Sequence, residues 1–471
     1  MDDKPVKKFV ICGAGPTAFG ALHRLHQILS NDILRNDLPF VPSILILEKE
    51  DVVGGLARSV TDENGFVFDL GVHVVSESKY PVFIDAMHDA IEEWNVVLRN
   101  VKADFHHIIG KERRIDSYIP YPVQENIMYF PDDIKNKCIN ELKELENNTK
   151  VCQNFGDFIE NHFGETLKEI FFKPYNEKVW TLKLQEMSNE WVYGRVPKIK
   201  INKLVNPSNV KTNDKNRNMM TFRYPSGCKG VGNVWTKIGE KYPKEYFRML
   251  CEVLEIDPIL KTIDVINKST KKKSKLEYDY FISTMPITLL GKMTSLAPSI
   301  NLKHSKVILV GYGLTTPQNK FSKSHSWLYF SSPDIIFYRA TLISNFSIDL
   351  TPDYKKYWSV LCEIGLKADE EDNEKEIMEK TLKDLRSCGL VDELNKVVSK
   401  FYMVLQYGYP IPTLERNNEL QKAHLIFEKH DIYSRGRFGS WKYEASNQDT
   451  AFTQGYEVID KILYGKEETL I

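Results

Sequence analysis

Near the N-terminus stands a turn whose residue types suit one kind of chemistry. Gly13-Ala14-Gly15-Pro16-Thr17-Ala18 has the form Gly-x-Gly-x-x-Ala. Gly13 permits a tight turn, Gly15 lets the backbone approach a pyrophosphate, and Ala18 keeps a helix tight against a sheet. Pro16 and Thr17 open that helix, whose unpaired N–H groups and partial positive charge favour phosphate. Glu48 closes the next apolar run and can accept hydrogen bonds from ribose hydroxyls. The turn alone is a weak signal, but a second segment sharpens it. In Val53-Gly54-Gly55-Leu56-Ala57-Arg58-Ser59, two adjacent glycines and an arginine suit a second phosphate face.

Such a turn needs a β-α-β unit to hold it. Phe9–Cys12 reads as a buried strand, Pro16 to Leu29 as a helix, and Ser43–Leu47 as a second strand after the polar connection NDILRNDLPFVP. Asn154 to Trp180 reads as two helices interrupted at Pro174. Val205–Asn218 reads as an exposed loop. Glu252 to Phe281 reads as strands parted by NKSTKKKSK, a solvated hairpin tip. A further apolar strand ends at Ile282-Ser283-Thr284-Met285-Pro286. Asp369–Leu390 reads as an amphipathic helix, and Gly436–Tyr464 as a loop followed by a helix.

The chain has 471 residues, enough for two or three domains. Its formal net charge of −1 supplies no global field for nucleic acid or an acidic membrane. Any polyanion must therefore be met by a few placed arginines. Cys12, Cys138, Cys152, Cys228, Cys251, Cys362 and Cys388 form no Cys-x-x-Cys pair. That argues for reduced thiols, a cytoplasmic setting and no metal. No apolar run reaches the ~20 residues that cross a membrane.

The Gly54 segment resembles that of FAD-binding proteins of the amine-oxidase and desaturase type. More of the chain then resembles the flavin-dependent UDP-galactopyranose mutases of the eukaryotic type, in blocks from about Val10 to about Gly465. These are GAGPTAFGALHRL at Gly13, GGLARSVTDENGFVFDLGVH at Gly54, YPVQENI at Tyr121, KPYNEKVW at Lys173 with GRV at Gly194, and GRFGSWKYEASNQD at Gly436. WLYF with FYRAT (Trp327 to Thr341) and YGYPIPTLER (Tyr407 to Arg416) also match. The resemblance implies an α/β fold with three parts. A Rossmann-like FAD-binding domain takes residues 1–102, 222–300 and 410–471. A helical substrate domain takes 124–205, and an antiparallel-sheet domain takes 103–123 and 301–409.

The resemblance also implies an activity. These enzymes interconvert UDP-galactopyranose and UDP-galactofuranose, with N5 of the reduced flavin as nucleophile at the anomeric carbon and NADPH as the usual reductant. By position, Arg195 and Arg339 match diphosphate-binding arginines, and Tyr329, Tyr409 and Tyr443 match tyrosines whose hydroxyls reach the diphosphate. Tyr121, Gln124, Asn176, Trp180 and Trp327 match the substrate-binding blocks, the first four at the nucleoside end. His73 matches a histidine beside the flavin ring. Arg437, Asn447 and Gln448 match the block along the flavin and its substrate face.

Departures sit close to the chemistry. Gly71-Val72-His73 replaces a pair of glycines before the histidine, and Val74-Val75-Ser76 lacks the family's aromatic. Phe346 stands for a tyrosine, Met219-Met220-Thr221 lacks an asparagine, and Phe105-His106-His107-Ile108 lacks an Arg-x-Ser. The sugar and the electron donor are therefore open. Two other readings remain: an amine-oxidase or desaturase-like oxidoreductase, and a homologue that binds nucleotide sugar without turnover.

Overall fold

The computed structural model describes residues 4–75, 78–112, 114–146, 148, 150–192, 195–196 and 221–471. The expectations placed on Val205–Asn218, Ser76, Gly194, Met219 and Met220 lie outside these residues. A five-stranded parallel sheet runs Ile432–Ser434, Tyr280–Ser283, Val6–Cys12, Val41–Leu47, Phe247–Arg248. Its centre is the run Phe9-Val10-Ile11, at most 1% exposed, with Val10 paired to both Leu45 and Phe281. Such an unalternating apolar run is what a strand covered on both faces requires.

The helix Pro16–Leu29 follows the first strand directly. The connection after it is more ordered than its polar composition suggested. Asp32–Asp37 is helical because the Asn31 side chain accepts the N–H groups of Ile33 and Leu34, and the second strand already begins at Val41. The last helix, Gln448–Tyr464, crosses the first one backbone to backbone. A Cβ on Gly20 would lie 1.8 Å from the Phe452 carbonyl oxygen, and one on Gly455 would lie 1.8 Å from that of Thr17.

A second sheet has seven strands in the order Val397–Pro410, His304–Thr315, Tyr357–Lys367, Arg339–Thr341, Trp327–Phe330, Val101–Asp104, Tyr118–Pro120. It is not wholly antiparallel. Trp327–Phe330 and Val101–Asp104 run parallel, because the long connection between them crosses the rest of the molecule. The hairpin Ser59–Thr61 and Val67–Asp69 docks on this sheet where Gly311 and Gly313 leave room for Phe68 and Phe66.

The helical region is interrupted beside the proline its sequence suggested and at one further residue. Phe155–Leu167 is followed by one π-helical segment, Lys168–Phe172, and then by Lys173–Trp180. Pro174 is the second residue of the last piece, directly after the π-helical segment. The backbone also departs from helix at Gly164, with φ 83° and ψ 164°. The lysine-rich turn joins the antiparallel strands Thr262–Asn267 and Lys273–Glu277 as expected. Among the described residues no helix is long and apolar enough to cross a membrane.

The helix crossing supplies a test. Gly20→Ala is expected to destabilise the protein by about 1–3 kcal/mol in urea unfolding, since the added carbon meets a backbone oxygen that cannot rotate away. Gly239→Ala, whose Cβ would meet only the edge of the Phe19 ring at 3.3 Å, is expected to lose less.

Candidate functional site

The two glycine segments meet each other. Gly13 has φ 103° and donates its N–H to the Leu47 carbonyl at 2.8 Å. A Cβ there would lie 2.1 Å from Thr284 Oγ1. Gly54 donates its N–H to the Ala14 carbonyl at 2.7 Å, and a Cβ on Gly55 would come within 3.2 Å of Gly15 Cα. A Cβ on Gly15 would fill the narrow space facing Gly54 and Gly55. Pro16 begins the helix, Gly15 caps it without a side chain, and Thr17 and Ala18 are buried beneath it. Leu56 packs against the apolar core nearby.

Glu48 is 7% exposed. Its Oε2 accepts the Ala14 N–H at 2.8 Å and its Oε1 accepts that of Glu50 at 3.0 Å. Burial raises its pKa above the usual carboxylate range, against the pull of those two bonds. Arg58 keeps a buried Nε with no partner among the described residues. Bare backbone, an uncapped helix end, a held carboxylate and a spare guanidinium N–H fit a pyrophosphate-linked dinucleotide such as FAD.

Asp69, which the motifs did not single out, fixes the loop that carries His73. It is 1% exposed and accepts bonds from Ser59 Oγ at 2.5 Å, Tyr224 OH at 2.6 Å and the Val231 N–H at 3.2 Å. Ser59 Oγ accepts the Gly232 N–H in turn. The Leu70 N–H donates to the Arg58 carbonyl, so the Arg58 strand and the His73 loop are tied together. Burial pushes the Asp69 carboxyl up to about 6.

His73 has a buried Nε2 with no partner, and burial pulls its pKa down to about 4, so the ring is neutral at pH 7. Arg339, Arg437 and Glu363 lie within electrostatic reach of it. Gln448 donates from Nε2 to the His73 carbonyl at 3.3 Å and accepts from Trp235 Nε1 at 2.8 Å. Asn447 is the exposed cap of the last helix, and its side chain does not bond that helix end.

A second cluster joins residues that are far apart in sequence. Arg437 lies over the Tyr409 ring at 5.0 Å and the Tyr443 ring at 5.9 Å, and Arg195 lies over Tyr443 at 5.2 Å. Arg195 donates to the carbonyls of Tyr443 and Glu444, and Arg437 to the Gly408 carbonyl and Ser446 Oγ. Neither has a carboxylate partner among the described residues. Glu444, whose carbonyl Arg195 holds, gives its carboxylate to Arg416. Burial lowers the Arg437 pKa, while a guanidinium so placed still stays charged.

Arg339 is different. Its Nε and Nη2 donate to Glu363, each at 2.6 Å, so the edge expected to grip phosphate is already engaged. Tyr338 OH bonds the same carboxylate at 2.9 Å. Burial raises the Tyr409 pKa, which keeps its hydroxyl a donor.

The walls are aromatic. Trp180 is 2% exposed and packs edge-on against Tyr443 at 4.9 Å and Tyr409 at 5.5 Å. Its Nε1 donates to Asn176 Oδ1, and Asn176 donates to the Phe172 carbonyl, so both side chains are bonded within their own helix. Tyr121 meets Tyr329 at 4.7 Å, and Gln124, three residues after Tyr121, is buried. Trp327 lies under Arg99 at 5.6 Å with an unpartnered Nε1. Phe346 is buried against Phe222 and Tyr224 rather than in the Tyr409–Tyr443 wall.

Glu363, Asp69 and Tyr224 escaped the motif reading. A faint signal existed for two of them. Glu363 interrupts the apolar run SVLCEIGL, and Asp69 interrupts VFDL. An acid inside a buried strand needs a partner, but its partner's position is not written nearby.

Over residues 36–389 the chain matches the flavin-containing amine oxidoreductase family. It superposes on the crystal structure of reduced UDP-galactopyranose mutase with a TM-score of 0.84 at 32% identity, covering 98% of this chain and 96% of that one. Cyclohexylamine oxidase from Brevibacterium oxydans IH-35A gives a TM-score of 0.63 at 13% identity, covering 98% of this chain and 99% of that one. A CLA-producing fatty acid isomerase from P. acnes gives 0.58 at 12% identity, covering 97% and 98% respectively. The last two share the fold alone.

The Asp69 network generates a pH prediction. A carboxyl whose folded pKa lies above its unfolded value binds its proton more readily in the folded state. Its contribution to stability therefore falls as pH rises from about 4 toward about 6. Asp69→Asn should remove this slope. In urea unfolding across that window, the variant is expected to gain on the natural protein as pH rises, and a constant difference would refute the assignment.

Proposed function

Because the chain belongs to the flavin-containing amine oxidoreductase family and is a flavoprotein of the UDP-galactopyranose mutase type, we propose that it interconverts UDP-galactopyranose and UDP-galactofuranose. One observation carries this reading. Arg195 and Arg437 are held about one tyrosine ring with no carboxylate among the described residues to neutralise them. Both side chains are half-buried; charges held partly out of water without a counter-ion are costly, and a diphosphate would supply two negative charges beside them. The same pair would repel a protonated amine, which disfavours an amine-oxidising role.

FAD would lie along Gly13, Gly15, Pro16, Thr17 and Ala18, with its ribose at Glu48. Gly54, Gly55, Leu56 and Arg58 would hold its second phosphate face, and Arg437, Asn447 and Gln448 would border its reactive end. When bound and reduced, the flavin supplies the nucleophile for the anomeric carbon, without net redox change; NADPH is the reductant we propose.

The chain's own residues do the rest. Arg195 and Arg437 bind the diphosphate while it leaves and returns. Tyr329, Tyr409 and Tyr443 donate hydroxyl hydrogen bonds to it. Arg339, its orientation fixed by Glu363, offers its remaining Nη1 group. His73, neutral and with Nε2 unpartnered, can bond a sugar hydroxyl without adding charge. Tyr121 and Gln124 read the base, and Trp180, Asn176 and Trp327 form the wall behind the nucleoside. Val72 stiffens the His73 loop relative to glycine. The whole works in the cytoplasm, where reduced nicotinamide is supplied.

The test is direct. The flavin-loaded protein, reduced with dithionite, is mixed with UDP-galactofuranose, and UDP-galactopyranose is sought by HPLC. Turnover is expected, and NADPH should replace dithionite. Arg437→Ala and Arg195→Ala should each lower kcat/KM by about tenfold to a hundredfold, the weight of a lost charge-assisted bond. Nucleotide-sugar binding without turnover by the reduced protein would refute the proposal.

A further inference from the structure

The three arginines of the cluster are not equivalent. Glu363 faces Arg339 across the ladder of the seven-stranded sheet, 3% exposed, and binds its guanidinium through both oxygens. Tyr338 OH completes that carboxylate's bonds. Among the described residues Arg195 and Arg437 take only carbonyl and hydroxyl acceptors. Arg437 lies over the Tyr409 ring and Arg195 over the Tyr443 ring, the two rings being 5.7 Å apart, and Tyr409 also feels the charge of Arg339. Arg99, near Trp327, is exposed and screened by solvent.

We propose that Glu363 is a specificity-determining residue: by neutralising Arg339 it leaves two positive charges, matched to a nucleoside diphosphate diester rather than to the free nucleoside diphosphate. This rests on the nucleotide-sugar reading above. A diphosphate joined to a nucleoside and a sugar carries two negative charges throughout the neutral range. A free nucleoside diphosphate ends in a phosphate monoester, whose second ionisation near pH 6 adds a third. Without Glu363, a third unmatched guanidinium would favour that trianion, and the released nucleotide would compete with the sugar-bearing substrate. In a site walled by aromatic rings such a charge difference is weakly screened.

Four forms of the oxidised, flavin-loaded protein span the charge series: Arg339→Gln, the natural protein, Arg339→Gln with Glu363→Gln, and Glu363→Gln. Dissociation constants for UDP-galactose and UDP are measured by titration calorimetry at low salt, near pH 8. Preference for UDP should be lowest in R339Q, equal in the natural protein and the double variant, and higher by about tenfold in E363Q. The E363Q gain should fade as pH falls below about 6, where UDP loses its third charge. A merely structural Glu363 would not tie the preference to the ligand's ionisation. Should E363Q lose its flavin or its fold, the lower preference of R339Q against an unchanged double variant decides the matter. A preference that does not follow the charge series overturns the inference. Failure of the natural protein to bind either ligand overturns the nucleotide-sugar reading beneath it.

Discussion

A guanidinium drawn partly out of water needs an anion or hydrogen-bond acceptors, and the half-buried Arg195 and Arg437 have acceptors but no carboxylate partner among the described residues. Everything around Arg195 and Arg437 serves to keep them so. Their N–H groups are bound to carbonyls and a hydroxyl, which fixes direction without removing charge. The one carboxylate on the neighbouring turn, Glu444, is drawn off by Arg416. The Tyr409 and Tyr443 rings lie under the cations, and Trp180 packs edge-on against Tyr443. Such an arrangement stores electrostatic potential, and the fold must be rigid enough to bear it.

Rigidity comes from contacts that leave no slack. The first and last helices touch through backbone, the hairpin bearing Asp69 seats its phenylalanines in a glycine-lined depression, and the central strand Tyr357–Lys367 carries Glu363 into the buried ladder. The Gly13 turn and Arg437 both follow strands of the five-stranded sheet, Arg339 lies in the seven-stranded one, and His73 stands between them. Its carbonyl is held by Gln448 of the last helix, while its ring feels Arg339 and Arg437.

What could be read directly from sequence was local. The Gly13 turn, its helix from Pro16 to Leu29 and the lysine-rich hairpin follow from residues close together, and their physics does not depend on the rest of the chain. Family motifs further grouped arginines and tyrosines hundreds of residues apart. What escaped was pairing. That the Arg339 fork closes on Glu363, that Asp69 collects Ser59 and Tyr224, and that Asn176 and Trp180 bond each other depend on tertiary register. The further break at Gly164 has the same cause. The space beside Gly164 is set by Glu141 of another helix.

The crossing of Gly20 with Gly455 has a consequence in time. The dinucleotide turn is made early in synthesis, yet the helix that locks it arrives more than four hundred residues later. At ordinary translation speeds the delay is roughly 20–90 s. The strand Val6–Cys12 waits similarly for Tyr280–Ser283, its neighbour in the sheet. During that interval an apolar strand and half a helix interface stand open on the ribosome. Nascent chains of this protein should therefore rely on chaperones in proportion to how long the C-terminal helix is delayed, and a pause in translation would be more harmful than a comparable loss of final stability.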